Sequence, residues 1–210
     1  MSSQSRLKMA LGESIFTLRA IRRFQTVPIP NRDLLDILEA AIRAPSGGNS
    51  QPWHFLLVQD LDLRQKLAKL YHEAWWAKRK DSGIMGPEDI PSGKGPVQSA
   101  MRLADEIGQS PAIVIVCATS KGPDSMASVI PAVQNLLLAA RGFGIGGTIT
   151  TLHRQVEERV HQLLNIPESF QIVYCIPLGY PAGNFGPVKR KSLEEVVSYD
   201  YWGNNILNKD

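Results

Sequence analysis

The stretch Ala44-Pro45-Ser46-Gly47-Gly48-Asn49-Ser50-Gln51-Pro52-Trp53-His54-Phe55 joins two different kinds of chain. Before it, Leu34, Leu35, Ile37, Leu38, Ala41 and Ile42 recur at helical spacing, with Asn31 placed as an N-cap and Asp33 in the first turn. Pro45 forces its predecessor out of the α region, so this helix ends near Ala44. After the stretch, WHFLLVQ at 53–59 is aromatic and β-favouring and predicts a strand. In between, two glycines permit close approach of backbone to a ligand. Ser46, Asn49 and Gln51 crowd donors and acceptors into one turn. A plain turn is the simpler reading; a turn with this many functional side chains suits a binding loop.

Outward from there, helical period returns over 61–77, and 81–97 then holds Gly83, Gly86, Pro87, Pro91, Gly93, Gly95 and Pro96. So long a breaker-rich stretch in a compact domain predicts a lid or binding loop, bounded at about 74–109. Helix is expected over 101–107, and Ala112 to Ala118 is a continuously apolar strand. The helix over 125–143 is apolar nearly all round, through Val129, Ile130, Val133, Leu136, Leu137 and Leu138, and needs cover from a sheet or a second subunit. A short amphipathic helix (156–164) and a buried strand (170–178) follow. The tail from Pro181 is Pro/Gly-rich, then basic, and runs to Tyr199-Asp200-Tyr201-Trp202-Gly203. Helices outnumber strands without strict alternation, which predicts α+β architecture rather than a doubly wound sheet. A length of 210 residues predicts one domain over 1–210 that contains the lid.

With 43% hydrophobic and 20% charged residues, the composition excludes disordered, collagen-like and coiled-coil chains. A net charge of +3 is too small to argue by itself for nucleic acid. Cys117 and Cys175 sit inside apolar runs, as buried free thiols of a reducing cytoplasm do. The opening residues lack the apolar centre of a secretory signal. The apolar stretch 126–145 is interrupted by Gln134, Asn135 and Arg141, short of the ~20 residues of a membrane span. The expectation is a soluble cytoplasmic protein with no membrane partner.

Several motifs fail. Gly142 to Gly147 spells G-x-G-x-x-G, but a helix precedes it where the dinucleotide fingerprint needs a strand. Gly93-Lys94 lacks the rest of a P-loop, and His54, His72, His153 and His161 form no metal set, His153 reading as a helix-start residue. No metal and no catalytic side chain is expected. What remains is cationic. Arg19, Arg22 and Arg23, at i, i+3 and i+4, would share one face of a helix, and Lys189-Arg190-Lys191 repeats the theme. Two solvated basic faces are one reading. Convergence on a phosphate, which Arg grips with two parallel hydrogen bonds, is the other. Trp75 and Trp76, where the helix from Leu61 meets the breaker-rich stretch, serve either packing or stacking on a flat acceptor.

Arg19-Ala20-Ile21-Arg22-Arg23-Phe24, the loop quoted first, GIGGTITT at 144–151, and PVKRK at 187–191 with LEEVV at 193–197 fall in an order that resembles the FMN-dependent nitroreductase family. The resemblance spans nearly the whole chain, the lid apart. It implies a three-layer α+β fold, with a central, mostly antiparallel sheet flanked by helices, in a homodimer with an intertwined tail and two FMN sites at the interface. By the same resemblance Arg19, Ala20 and Arg22 hold phosphate, ribityl chain and pyrimidine edge. Pro45, Ser46, Gly47 and Asn49 reach the flavin from the partner subunit, with Gln51 in the same loop. The backbone of Thr148, Ile149, Thr150 and Thr151 lies against the reactive edge, and Lys189 and Arg190 close on the phosphate. The implied activity is ping-pong hydride transfer from NAD(P)H through FMN to a small electron-poor acceptor, a nitroaromatic or quinone. Flavin-fragmenting and reductive-dehalogenating relatives share the fold. Because flavin carries such chemistry, the protein needs no acid–base pair of its own. The rival from another class is a non-enzymatic module binding nucleic acid through the two basic clusters. It lacks the interleaved aromatics of single-strand platforms, so no nucleic-acid partner is expected.

Overall fold

Alternate residues of one strand, β2 (Ala112–Ala118), supply both halves of the core. Ala112, Val114, Val116 and Ala118 face α3 (Asn31–Ala41) and α6 (Pro123–Gly142), where Leu34, Ile37, Val133 and Leu136 are buried. Ile113, Ile115 and Cys117 point the other way, toward α4 (Leu61–Lys80), α5 (Pro96–Glu106) and α7 (Arg154–Leu164). The computed structural model describes residues 2–90, 95–152 and 154–204. β2 pairs antiparallel with β1 (Trp53–Val58) on one side and β4 (Gln171–Gly179) on the other, and β4 carries the two-residue β3 (Gly146–Gly147). The order is β1-β2-β4-β3, a wholly antiparallel sheet between helical layers. This is the α+β, three-layer arrangement expected. The unbroken apolar run of β2 reflects burial on both faces.

Differences from the sequence reading have local causes. Asn31 is the first helical residue rather than the cap; Pro30 precedes it with φ −57°, close to the value its ring imposes. G-x-G-x-x-G fails as anticipated: α6 ends at Gly142, Gly144 turns at φ 71°, and a strand follows where the fingerprint needs a helix. α5 opens at Pro96, five residues earlier than Met101, since proline suits a first turn whose N–H would go unbonded. The described residues of the stretch 74–109 therefore comprise the end of α4, a segment with a short turn at Pro87–Asp89, and α5, whose Leu103 and Ala104 are buried in the core along with Ile107. Gly93-Lys94, Pro91 and His153 lie outside the described residues. Both thiols are free and buried, and burial pushes Cys117 up to about 11 and Cys175 up to about 12. Among the described residues no helix is long and apolar enough to cross a membrane.

The N-terminal turn α1 (Ser3–Arg6) is pinned to α3 by a charged cluster. Asp36, 1% exposed, accepts from the Ser3 hydroxyl at 2.6 Å and pairs with Arg6 and, at 3.1 Å, with Arg32. Burial works to raise its pKa, but the Ser3 bond and the two guanidiniums outweigh burial and hold it below the usual carboxylate range. A carboxylate depressed in the folded state stabilises above its unfolded pKa, and that contribution is lost as pH falls through the folded value. Asp36→Asn should melt several degrees below wild type at neutral pH, the gap closing as pH drops below about 4. Thermal melts across pH check this, and a gap independent of pH would contradict it.

Candidate functional site

Arg19, Arg22 and Arg23 do not share a helical face. α2 (Leu11–Thr17) stops short of them, Leu18 is extended, and the chain continues outside any helix to a bridge between Phe24 and Pro181. The cause lies across the sheet edge. The Ile21 amide donates to the Gly147 carbonyl at 2.9 Å, and a Cβ on Gly146 would stand 2.4 Å from Ile21 Cγ1. Only bare backbone at Gly146 admits the segment this closely. Side chains then diverge: exposed Arg23 pairs with Glu106 at 3.6 Å, while half-buried Arg22 acts electrostatically on the Tyr71 hydroxyl. Neither Arg19 nor Arg22 has an acidic partner among the described residues.

The C-terminal segment joins the same edge. Gln25 N–H donates to the Tyr180 carbonyl at 2.8 Å, Ala182 N–H to Arg23 at 3.0 Å, and Gly186 N–H to Thr17 at 3.2 Å. Phe185 lies under Arg141, whose guanidinium stands 4.2 Å from the ring centre. Lys189 and Arg190 follow this anchor, both exposed. The two basic clusters thus leave neighbouring stretches of backbone, two residues beyond Thr17 and three beyond Gly186.

The segment 148–151 continues from β3. Thr150 exchanges both backbone hydrogen bonds with Cys175, at 3.2 and 2.9 Å, and its hydroxyl donates to the Cys175 carbonyl. Thr148 is buried, while Ile149 and Thr151 are exposed and their amides stay open among the described residues. Tyr71, one helix layer below, packs its hydroxyl against Thr150; burial pushes it up to about 12 although Thr150 works against the rise, so the phenol stays neutral.

The loop 45–51 is built differently. Asn49 and Gln51 hold φ of 54° and 48°, and Gly48 of 57°, the left-handed region that non-glycine residues enter at a cost. The Gln51 amide donates to Ser46 Oγ at 3.0 Å, and the Gly47 amide to Ser128 Oγ of α6 at 3.3 Å. These bonds tie the loop to α6 and to itself, not to the Arg19–Arg22 segment of the same chain.

Residues 16–180 match the family model described as the Nitroreductase family. The chain belongs to that family. A protein of Archaeoglobus fulgidus named "Putative NADH dehydrogenase/NAD(P)H nitroreductase" is 30% identical over 174 residues, covering 80% of this chain and 83% of the relative. An iodotyrosine deiodinase of Thermotoga neapolitana is 29% identical, covering 78% and 84%. A crystal structure of oxidized iodotyrosine deiodinase bound to FMN and 3-iodo-L-tyrosine superposes with a TM-score of 0.74 at 25% identity, over 92% of this chain and all of that one.

Within this nitroreductase-family chain the two tryptophans part company. Trp75 is 7% exposed, packed in the core beneath Arg79, whose guanidinium lies 5.2 Å from the ring centre. Trp76 is half-buried and stacks edge-on against Trp75 at 4.8 Å. Tyr71 went unnoticed in the sequence. Its spacing from Leu67 and Trp75 marks it as core-facing, and a hydroxyl delivered into a core needs a polar partner. Gly146→Ala should lower the melting temperature and speed hydrogen exchange of the Ile21 amide, because the added methyl displaces Ile21. Unchanged exchange at Ile21 would remove the glycine contact from the description of the site.

Proposed function

We propose that this protein is an FMN-dependent oxidoreductase that takes hydride from NAD(P)H and delivers it, by a ping-pong mechanism, to an electron-poor acceptor such as a nitroaromatic or a quinone. The observation that carries the reading is that Arg19, Arg22 and Lys189, cations with no acidic partner among the described residues, leave backbone that is hydrogen-bonded to the sheet edge from which Thr148 to Thr151 continue. A donor set without acceptors of its own fits an anionic, hydrogen-bonding ligand. Arg19, Ala20 and Arg22 would hold the phosphate, ribityl chain and pyrimidine edge, with Lys189 and Arg190 closing on the phosphate. Of Thr148 to Thr151, the outward amides of Ile149 and Thr151 would meet the ring, while Thr150 is fixed to β4 and braced by Tyr71. When bound, FMN supplies the hydride chemistry. The chain's part is to orient the ring, to donate hydrogen bonds and to place positive charge near it.

Pro45, Ser46, Gly47, Asn49 and Gln51 would come from a second copy, which accords with a loop tied to α6 rather than to the arginines. A homodimer is further supported by a groove of about 720 Å³ among α1, α2, α3 and α6, and by Leu11, Ile15 and Phe16 left exposed beside it. The tail residues Tyr201 and Trp202 are likewise uncovered and suit an anchor on the partner. Sedimentation showing a folded monomer at micromolar concentration would contradict this assembly. The deiodinase relatives support a second acceptor class at the same site, an aryl halide, which release of halide during turnover distinguishes.

The purified protein should be yellow, and Arg19→Ala should weaken FMN by roughly 1.5–3 kcal/mol, about 10- to 150-fold in Kd, the scale of a hydrogen bond to a charged group. A protein that stays colourless after incubation with FMN would overturn the proposal and return the cations to the nucleic-acid reading.

A further inference from the structure

His72 and Trp76 stand four residues apart on α4, so their side chains meet on one face of the helix. The Trp76 Nε1–H donates to His72 Nε2 at 3.2 Å. The same nitrogen lies 3.3 Å from Asp105 Oδ1 on α5. It cannot serve both. It accepts from the indole only while it is bare, and it donates to the carboxylate only while it carries a proton.

Trp76, His72, Lys80, Met85, Pro87 and Gln155 line a cavity of about 430 Å³. Its position ties it to the site above: Gln155 is four residues beyond Thr151, and Tyr71, next to His72, braces Thr150. We infer that His72 is a positioning residue for the acceptor: bare, its Nε2 holds the Trp76 indole as a wall of this cavity, and protonation turns that nitrogen to Asp105 and releases the indole. The inference rests on the function proposed above, since it takes the cavity as the acceptor's.

The charged and titratable groups that the described residues bring to the pair are few. Asp105 comes from α5. Glu73 and Lys80 come from α4 itself, with Glu73 bound to Arg159 of α7. α7 adds the neutral Gln155. The loop before α5 adds Met85, Gly86 and Pro87, and its Asp89 accepts from the amides of Met85 and Gly86 at 2.8 and 3.2 Å. Asp105 is the group in ion-pair reach of the imidazole, so a proton on Nε2 has one destination. Besides its hydrogen bond to His72, the indole is held by edge-on contacts with Trp75 at 4.8 Å and with the His72 ring itself at 6.4 Å. Once its N–H is left without an acceptor, the ring turns toward water and a flat acceptor loses its stacking partner.

The test follows the Trp76 indole N–H resonance in ¹⁵N-labelled holoprotein, assigned through Trp76→Phe, across the pH range in which the protein stays folded. Alongside it are measured KM for a nitroaromatic and the rate of reduction by NAD(P)H. The resonance should move with one midpoint as pH falls. KM should rise about two- to tenfold with that midpoint, the range of one aromatic contact, and the reduction rate should not share it. His72→Gln, whose carbonyl still accepts but does not titrate, should hold resonance and KM near their high-pH values; His72→Leu should hold both near their low-pH values. An indole resonance indifferent to pH overturns the inference, and so does one that titrates while KM stays flat in an active enzyme. A yellow protein that reduces no acceptor would instead overturn the proposed function, and the indole titration would still decide the hydrogen-bond exchange.

Discussion

The contact between Ile21 and the bare backbone of Gly146-Gly147 is the constraint on which the rest of the site depends. β3 is only two residues long, yet it continues the sheet past β4 and gives the 18–24 segment an edge to lie on. Gly147 is itself hemmed in, since an added Cβ would meet Leu178 at 2.8 Å and the Pro177 carbonyl at 2.9 Å. Both glycines are therefore held by packing, one against the N-terminal segment and one against β4. Once Ile21 is docked, Arg19 and Arg22 are presented beside 148–151, and Tyr180, Ala182 and Gly186 bring in the tail. Three pieces of sequence more than 120 residues apart at their extremes are gathered by backbone hydrogen bonds, leaving side chains free for a ligand.

α4 links this edge to the cavity beyond it. Leu67, Tyr71 and Trp75 face the sheet and fix the helix in the core, while His72 and Trp76 face outward. Tyr71 reaches Thr150 from below as a neutral phenol because burial disfavours its anion. A helix so anchored is stiff, and its soft element is the indole of Trp76, secured by one hydrogen bond from its N–H to His72 and by edge-on ring contacts with His72 and Trp75.

What could be read from the sequence followed the strength of local signal. β1, β2 and β4 are runs of apolar and β-branched residues, and each lies within about two residues of its expected position. The fold class followed from them, and the order of the Arg, Gly-rich and basic motifs pointed to the family. β3 was invisible because two glycines carry no hydrophobic pattern and their pairing with Leu178 and Gly179 spans some thirty residues. The arginine spacing fitted a helix, but the tertiary bond from Ile21 to Gly147 overrode it. Loop 45–51 was recognisable from composition as a loop between helix and strand, whereas its left-handed Asn49 and Gln51 are conformations that composition does not encode. The exchange at His72 depends on Asp105, which comes from another helix, so no local pattern announces it.

If the unpaired cations along the Ile21 edge exist to hold a phosphate, the ligand's phosphate must dominate its affinity. Calorimetric binding of FMN and of riboflavin to the same apoprotein measures this directly, because the two differ only in that group. Riboflavin should bind at least about 100-fold more weakly, as expected when two or more charge-assisted hydrogen bonds are lost. Equal affinity for the two flavins would show that Arg19, Arg22 and Lys189 read no phosphate, and the site would need another ligand.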